Sequence, residues 1–125
     1  DPSVSVCCDV QNTLVNNLFR FYANDDVKGR YLPRLASTDL GSFGLSEAGS
    51  GSDAFALATR AEKNADGDYV INGSKMWITN AGFADLFVVF AKIENDKNLS
   101  AFIVEKSFGG ILPATGQILL ESATC

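Results

Sequence analysis

One glycine- and serine-rich loop, GSFGLSEAGSGSD over residues 41–53, carries the side chains best suited to binding a polar ligand. Its carboxylate Glu47 is followed only by small residues until Asp53. Glycine lets a backbone approach a ligand closely, successive amides can form a concavity for an anion, and serine hydroxyls add donors. The loop is therefore predicted to cradle a polar, phosphate-bearing ligand. The alternative is a tight surface turn between two strands.

The same loop contains G-x-G-x-x-A over residues 49–54, a degenerate form of the dinucleotide-binding fingerprint. That fingerprint needs a strand–helix–strand context and an acidic residue about twenty positions later. The downstream sequence instead has the turn dipeptides DG at 66–67 and NG at 72–73, which are typical of short antiparallel strands. A nicotinamide Rossmann site is therefore disfavoured.

A second group of residues with chemical potential is KMWIT at 75–79, on the strand predicted after the NG turn. Alternation places Lys75, Trp77 and Thr79 on one face, with Met76 and Ile78 on the other. A flat aromatic ligand could stack on Trp77 and accept a hydrogen bond from Thr79. The alternative is a half-buried tryptophan whose neighbour satisfies the end of a strand.

Composition narrows the functional classes. The chain has 125 residues, a net charge of −5 and no histidine. The negative charge argues against a nucleic-acid surface, and the missing histidine removes the commonest metal ligand and acid–base residue. Three cysteines provide neither a disulfide framework nor zinc-ligand spacing, so no metal site is predicted and reduced, intracellular thiols are expected. No apolar run approaches membrane-spanning length. Because residue 1 is not methionine, the chain is expected to be an excised or incomplete piece.

Two kinds of element must position these groups. Apolar spacing predicts an amphipathic helix over residues 4–23 and a second helix that is capped by Asn24 and stops near Pro33. After about residue 38, β-like segments are predicted at 43–45, 57–62, 69–71, 75–79, 86–93 and 101–105. This α+β pattern predicts an antiparallel sheet or barrel, with residues 86–91 buried on both faces. Residues 111–125 are predicted to give one further strand and a frayed end.

The two motifs together resemble the acyl-CoA dehydrogenase family. GLSEAGSGSDAFA at 44–56 is similar to the family's signature loop, and WIT at 77–79, preceded by YVINGSKM at 69–76, follows at the family's distance. The resemblance covers roughly residues 1–106. DPSVSV at 1–6, QNTL at 11–14 and YLPRL at 31–35 most resemble the short- and branched-chain members.

The resemblance implies a fold and a domain organisation. Family members have an N-terminal helical domain, a middle β-barrel domain and a C-terminal helical bundle. Residues 1–37 would be the C-terminal part of the helical domain. Residues 38–125 would be an incomplete middle β-barrel domain, divergent over 107–125, and the C-terminal bundle would be absent.

The resemblance also implies an activity, which is the flavin-dependent α,β-dehydrogenation of a short or branched-chain acyl-CoA to the 2-enoyl-CoA. FAD would be the cofactor, electron-transfer flavoprotein the acceptor, a homotetramer the assembly, and the mitochondrial matrix the location. Two alternatives use the same fold: an acyl-CoA oxidase or an enoyl-CoA reductase. A third is a non-catalytic truncated module.

Site residues are carried over position by position. The resemblance implies that the following residues contact the flavin: Phe43, Gly44, Leu45, Ser46, Glu47, Ala48, Gly49, Ser50, Gly51, Ser52, Trp77, Ile78 and Thr79. It implies that the following residues contact the substrate: Ser52, Gln11, Asn12 and Val15.

The resemblance implies no catalytic residue in this chain, because family members carry the base on the C-terminal bundle. Glu47 is instead expected to bond amides of the loop itself, and Asp53 to act as a cap or loop anchor. The loop at 94–98 is shorter than in branched-chain relatives, and a substrate-contacting tyrosine of theirs has no counterpart here.

Overall fold

The computed structural model describes residues 1–94, 96–114 and 116–125. Its first part is helical. Helix α1 (Pro2–Asp9) continues into a π-helical segment (Val10–Asn16) and then into α2 (Asn17–Tyr22). Helix α3 (Asp25–Leu35) follows. The predicted Asn24 cap is confirmed, since its side chain accepts a hydrogen bond from the Val27 amide at 2.9 Å.

The sequence predicted that the second helix stops near Pro33. Helix α3 instead continues to Leu35. Proline inside a helix lacks one hydrogen bond and crowds the preceding turn. The helix persists because Tyr31 and Leu35 are both buried at 5% exposure in the core beneath it. Burial of these side chains outweighs the local preference, as tertiary packing often does.

The described residues form a seven-stranded, curled mixed sheet in the order β1-β4-β2-β3-β7-β6, with β5 also paired to β4. The strands are β1 (Gly41–Gly44), β2 (Arg60–Lys63), β3 (Tyr69–Met76), β4 (Leu86–Ile93), β5 (Ser100–Glu105), β6 (Ile111–Ala114) and β7 (Gln117–Thr124). The predicted α+β class, helices followed by a barrel-like sheet, is confirmed, but the sheet was expected to be antiparallel and is mixed. The sheet is mixed because β4 runs parallel to both β1 and β2, while β5 lies antiparallel on its other edge.

Strand β4 is buried on both faces, as predicted. Leu86 and Val88 belong to the core between the helices and the sheet, whereas Phe87 and Val89 belong to the core inside the curl. All four side chains have 0% exposure. Because successive side chains in a strand point to opposite faces, one strand contributes to both hydrophobic layers.

The two predicted turn dipeptides behave differently. The turn at Asp66-Gly67 is confirmed, because it connects β2 to β3 and Gly67 has a φ of +94°. The predicted turn at Asn72-Gly73 is wrong, because both residues lie inside β3, where the pairing register to β7 shifts. Gly73 packs so closely on Thr59 that a Cβ atom would have no space. Glycine at this position allows β3 to approach Thr59 closely and does not mark a turn.

The C-terminal residues are more ordered than predicted. Residues 111–125 were expected to give one strand and a frayed end, but they form the hairpin β6–β7. Strand β7 also pairs with β3 from Val70↔Thr124 to Met76↔Gln117, with one irregularity. Its buried side chains Ile118, Leu120 and Ala123 contribute to the inner core. The alternation is hard to see in the sequence because Leu119 is apolar but exposed, and because the buried positions shift between Leu120 and Ala123, where Ser122 has a φ of +54°.

A buried amide side chain joins the helices to the sheet. The Gln11 Nε2 donates to the Leu35 carbonyl at 2.9 Å and to the Asp39 carbonyl at 3.2 Å. Its Oε1 accepts from the Gly41 amide at 2.6 Å. Gln11 is 8% exposed, so these bonds satisfy polar groups that would otherwise be buried without partners. One side chain thereby fixes the π-helical segment, the end of α3 and the start of β1.

None of the helices in the described residues has the length and apolar character needed to cross a membrane. Nor do the described residues contain three or more Asp, Glu, Cys or His side chains grouped to hold a metal ion. All three cysteines are free.

The contact between Gly41 and the helix predicts a strong effect of one added methyl group. A Cβ on Gly41 would lie 2.6 Å from the Val15 Cγ1, which is itself fully buried. We expect Gly41→Ala to lower the free energy of unfolding by about 1–3 kcal/mol, because a packed interface must shift to accommodate it. Urea unfolding measures this change.

Gly29→Ala is the matched control for this substitution. A Cβ at Gly29 would have nothing within 4 Å, and Gly29 lies inside α3. We expect Gly29→Ala to stabilise the protein by about 0.5–1 kcal/mol, since alanine favours a helix interior over glycine. Equal effects of the two substitutions would contradict the proposed packing of β1 on the helix.

Candidate ligand-binding site

The two motifs singled out from the sequence meet at one hollow of about 260 Å³. The glycine–serine loop contributes Leu45 and Ser46, and the end of β3 contributes Trp77 and Thr79. The complete lining is Val10, Leu14, Phe43, Leu45, Ser46, Trp77, Ile78 and Thr79. Two hydroxyl-bearing residues and a tryptophan therefore border a common space with apolar walls, which suits a flat ligand with polar edges.

Three hydrogen bonds hold the loop against the segment that follows β3. The Met76 amide donates to the Ser46 carbonyl at 2.9 Å. The Ser42 hydroxyl donates to the Thr79 carbonyl at 2.7 Å, and the Asn80 Nδ2 donates to the Gly41 carbonyl at 3.1 Å. Because these bonds join main chain to main chain or to buried side chains, the hollow has fixed walls.

Trp77 does not lie where strand alternation placed it. Strand β3 ends at Met76, and Trp77 has a φ of +60° with 83% of its surface exposed, whereas Lys75 is 0% exposed. The prediction that Lys75, Trp77 and Thr79 share one face is therefore wrong for Lys75. A bulky residue at positive φ costs on the order of 1–3 kcal/mol and is found mainly at functional sites. An exposed indole on a strained backbone supports a ligand-binding role for Trp77.

The tip of the loop is a tight turn. Glu47 and Ser50 exchange two backbone hydrogen bonds, at 3.0 and 3.1 Å. The Ser50 hydroxyl donates to the Asp53 carbonyl at 2.8 Å, so it serves the loop itself. The Asp53 carboxylate accepts from the Phe55 amide at 3.2 Å and caps the single 3₁₀ turn Ala54–Ala56, as predicted. With only this short turn after residues 49–54, the helix of a dinucleotide fingerprint is missing from the described residues.

The exposed part of the loop comprises its small residues. Ala48, Gly49, Gly51 and Ser52 are exposed, while Gly44 lies in β1 against Lys75. A Cβ on Gly49 or Gly51 would meet nothing within 4 Å. The loop therefore presents a surface without large side chains, on which a ligand could come close to the backbone.

A buried ion pair anchors the loop to strand β3. The Lys75 Nζ lies 2.8 Å from the Glu47 Oε1, with 0% and 9% side-chain exposure respectively. Glu47 also accepts hydrogen bonds from the Ala58 amide at 2.6 Å, the Thr59 amide at 3.1 Å and the Thr59 hydroxyl. Glu47 was expected to bond amides of the loop itself; it does bond amides, but those of residues 58 and 59, which follow the loop.

Burial and hydrogen bonding act in opposite directions on this pair. Burial alone would raise the pKa of Glu47, but the donors Lys75, Thr59 and Ala58 together lower it below its ordinary value of 4.5. Burial lowers the pKa of Lys75, and Glu47 opposes that effect without cancelling it. The carboxylate is therefore ionised at neutral pH and fully engaged.

The helix presents different residues to the hollow from those the resemblance implied. Val10 and Leu14 line it. Val15 is 0% exposed against Gly41, Gln11 is engaged in the bonds described above, and Asn12 is exposed with its Nδ2 on the Cys8 carbonyl at 2.8 Å. The i, i+4 spacing of Val10 and Leu14 was the signal that sequence reasoning missed. A substrate role for Gln11, Asn12 and Val15 stays a prediction.

A second, apolar groove of about 610 Å³ adjoins the hollow. Leu14 and Phe43 line both spaces, and Phe43 also packs on Phe90 with ring centroids 5.0 Å apart. The remaining lining residues are Thr13, Asn17, Leu18, Phe21, Tyr22, Phe90, Leu99 and Ala101.

A curled mixed sheet with a helix packed beside it thus carries the glycine–serine loop and Trp77 around one hollow. The family model described as "Acyl-CoA dehydrogenase, middle domain" matches residues 42–117. The chain belongs to the acyl-CoA dehydrogenase family.

Comparisons with individual proteins agree with this assignment. The chain is 50% identical over 113 residues to the short/branched chain specific acyl-CoA dehydrogenase, mitochondrial, of Rattus norvegicus, covering 88% of this chain and 26% of the relative. It is similar to an acyl-CoA dehydrogenase from Bacillus anthracis complexed with FAD, with a TM-score of 0.80, 42% identity, and 85% of this chain and 20% of the other covered. It is also similar to butyryl-CoA dehydrogenase from Megasphaera elsdenii, with a TM-score of 0.88, 32% identity, and 99% and 37% covered. The chain spans about a quarter of the length of the curated relatives it matches.

The ionised state of Glu47 predicts a specific pH dependence of stability. The pKa of Glu47 is lower in the folded protein than its ordinary value of 4.5, which applies to the unfolded chain. Ionised Glu47 therefore contributes its full stabilisation above the unfolded pKa, and this contribution is lost as the pH falls through the folded pKa. We expect the free energy of unfolding of the wild type to fall between about pH 5 and pH 3, and that of Glu47→Gln to fall less. Urea unfolding across this pH range measures the difference. Glu62→Gln, at an exposed position on β2, should retain the wild-type dependence. Parallel curves for Glu47→Gln and the wild type would contradict the assignment.

Proposed function

We propose that this chain is the flavin-side part of an enzyme that dehydrogenates a short or branched-chain acyl-CoA to the 2-enoyl-CoA with FAD as cofactor. The observation that carries the proposal is the meeting of Ser46, Trp77 and Thr79 around one hollow. Membership of the acyl-CoA dehydrogenase family and 50% identity to a short/branched-chain relative support the substrate class. The FAD complex of the Bacillus anthracis relative supports the cofactor.

The residues at the hollow fit a flavin. The Trp77 indole is exposed beside the space and can cover the face of a flat ring. The hydroxyls of Ser46 and Thr79 supply donors at its edge. Bound FAD would supply the two-electron redox chemistry, accepting the hydrogen removed from the β-carbon of the substrate.

The part played by the protein residues is electrostatic and steric. Donors aimed at a ring that gains negative charge stabilise the transition state, which is the role we assign to Thr79 and Ser46. Ser52, exposed at the far end of the loop, is assigned to the CoA portion of the substrate. Val10 and Leu14 give the hollow an apolar wall on the helix side. Ligand pockets commonly occupy about 300–1,000 Å³, so this hollow supplies one face of a larger site.

Glu47 is not proposed as the catalytic base. Its two oxygens accept hydrogen bonds from Lys75, Thr59 and Ala58, and its lowered pKa makes it a weak proton acceptor. The proposal therefore assigns no catalytic base to these 125 residues. Proton abstraction from the α-carbon is assigned to a group outside them.

The wider context follows the family resemblance. We assign residues 1–37 to the end of a helical domain and residues 38–125 to an incomplete middle domain. The family match to residue 117 includes much of the segment 107–125, which was expected to diverge. Electron-transfer flavoprotein is the proposed acceptor and a homotetramer the proposed assembly. The word "mitochondrial" in the name of the rat relative supports a location in the mitochondrial matrix.

The proposal predicts a direct spectroscopic result. We expect the protein, expressed with whatever flanking sequence its gene encodes, to be yellow with bound FAD. Anaerobic addition of a short branched-chain acyl-CoA should bleach the flavin absorbance. A colourless protein that takes up no FAD refutes the proposal. Rapid reoxidation by oxygen alone would favour the oxidase alternative, and reduction of an enoyl-CoA in preference to dehydrogenation would favour the reductase. Flavin that never bleaches would favour the non-catalytic module.

Removal of the Trp77 side chain should weaken flavin binding. We expect Trp77→Ala to raise the dissociation constant for FAD about tenfold, since an aromatic pair is worth about 0.5–1.5 kcal/mol beyond its buried area. Quenching of flavin fluorescence on binding measures the constant. Phe83→Ala is the matched control, because Phe83 is also exposed, at 61%, but does not line the hollow. Equal binding by Trp77→Ala and Phe83→Ala would assign Trp77 a structural role only.

A further inference from the structure

The Lys75 side chain has a second contact that the Glu47 ion pair does not explain. Its Nζ also donates to the Leu45 carbonyl at 3.2 Å. Lys75 is 0% exposed, so the ammonium is withdrawn from water and its hydrogen bonds go to protein groups. A buried ammonium needs an ionised partner, and Glu47 fulfils that need. The additional bond connects the charge to the main chain of the loop at the hollow.

The bond to Leu45 determines the direction of the next amide. In a trans peptide the carbonyl and the following N–H point in opposite directions. Because the Leu45 carbonyl points at Lys75, inside the sheet, the Ser46 N–H points away from the sheet interior. Leu45 and Ser46 both line the hollow, whereas Lys75 does not. Within the described residues the Ser46 amide makes no hydrogen bond, while its carbonyl is held by the Met76 amide at 2.9 Å.

We propose that Lys75 is a positioning residue for the flavin, because it fixes the Leu45–Ser46 peptide so that the Ser46 N–H is presented to the ligand in the hollow. This inference rests on the proposed function. Lys75 itself does not line the hollow and is not a catalytic residue. A peptide whose carbonyl is bonded to a cation is polarised, so its N–H becomes a stronger donor. That donor favours a reduced flavin over an oxidised one, since reduction adds negative charge to the ring.

The ion pair of Glu47 and Lys75 would thus both anchor the loop and orient one of its peptides. Glu47 ties the loop to residues 58 and 59, and Lys75 ties it to β3 and orients one peptide. The pair as a whole carries no net charge. Its effect on the flavin should therefore come through the orientation and polarisation of the Ser46 amide, and only weakly through distant charge.

Two variants of the expressed protein with its natural flanking sequence test the inference. Lys75→Met removes the ammonium and keeps the apolar stem. Because it leaves the Glu47 carboxylate without its cation and could prevent folding, the double variant Lys75→Met/Glu47→Gln is made beside it. Glutamine keeps an oxygen that can accept from Thr59 and Ala58. Lys63→Met, at an exposed lysine of the neighbouring strand β2, is the control. Circular dichroism establishes which variants are folded.

The readouts are the FAD dissociation constant and the midpoint potential of the bound flavin. In the folded double variant we expect the dissociation constant to rise at least about tenfold and the potential to become more negative, while Lys63→Met matches the wild type. A merely structural role for Lys75 would change the melting temperature but not the potential. A double variant that binds FAD with the wild-type constant and potential overturns the inference and leaves the proposed function standing. A wild type that binds no FAD refutes the proposed function, and the inference with it.

Discussion

The structure around the hollow depends on one buried ion pair, between Glu47 and Lys75. Charges are costly to remove from water, and this pair is retained because every oxygen of the carboxylate has donors and the ammonium has acceptors. Loss of one partner from such a pair typically costs about 3–5 kcal/mol. From Ala48 to Ser52 the glycine–serine loop has no large side chains with which to pack. The position of this part on the sheet must therefore come from polar contacts, and Glu47 supplies four hydrogen bonds.

The hydrophobic layers explain why this arrangement is rigid. Strand β4 contributes alternate residues to the helix-side core and to the core inside the curl, and β1 is held parallel to it. Gln11 then fixes the helix to the start of β1 through three hydrogen bonds. Strand β1 forms the first four residues of the loop, and Trp77 directly follows the last residue of β3. The residues around the hollow thus lie at the ends of strands that are paired within the sheet.

The sequence was informative where a residue type has one dominant physical use. Asn24 was identified as a helix cap, Asp66-Gly67 as a turn, and residues 86–91 as a strand buried on both faces, and the structure confirms each. The sequence was misleading at Gly73, where glycine allows the chain to approach Thr59 closely and does not mark a turn. Propensity alone cannot separate those two uses of glycine, because the difference lies in a strand that is distant in sequence.

The two motifs of the candidate site were predictable from the sequence, but its geometry and its helix residues Val10 and Leu14 were not. The glycine–serine loop and the WIT segment were singled out from their composition, and the structure brings them to one hollow. The expected alternation of side chains between the two faces of a strand ends at Trp77, because the chain leaves β3 there with a positive φ and turns the indole outward. Lys75 and Trp77 therefore do not share a face: Lys75 is buried and Trp77 is exposed. A strained residue beside a buried charge is unfavourable for folding alone. The surrounding strands and hydrogen bonds nevertheless hold both in place, which supports the proposed ligand site at the hollow.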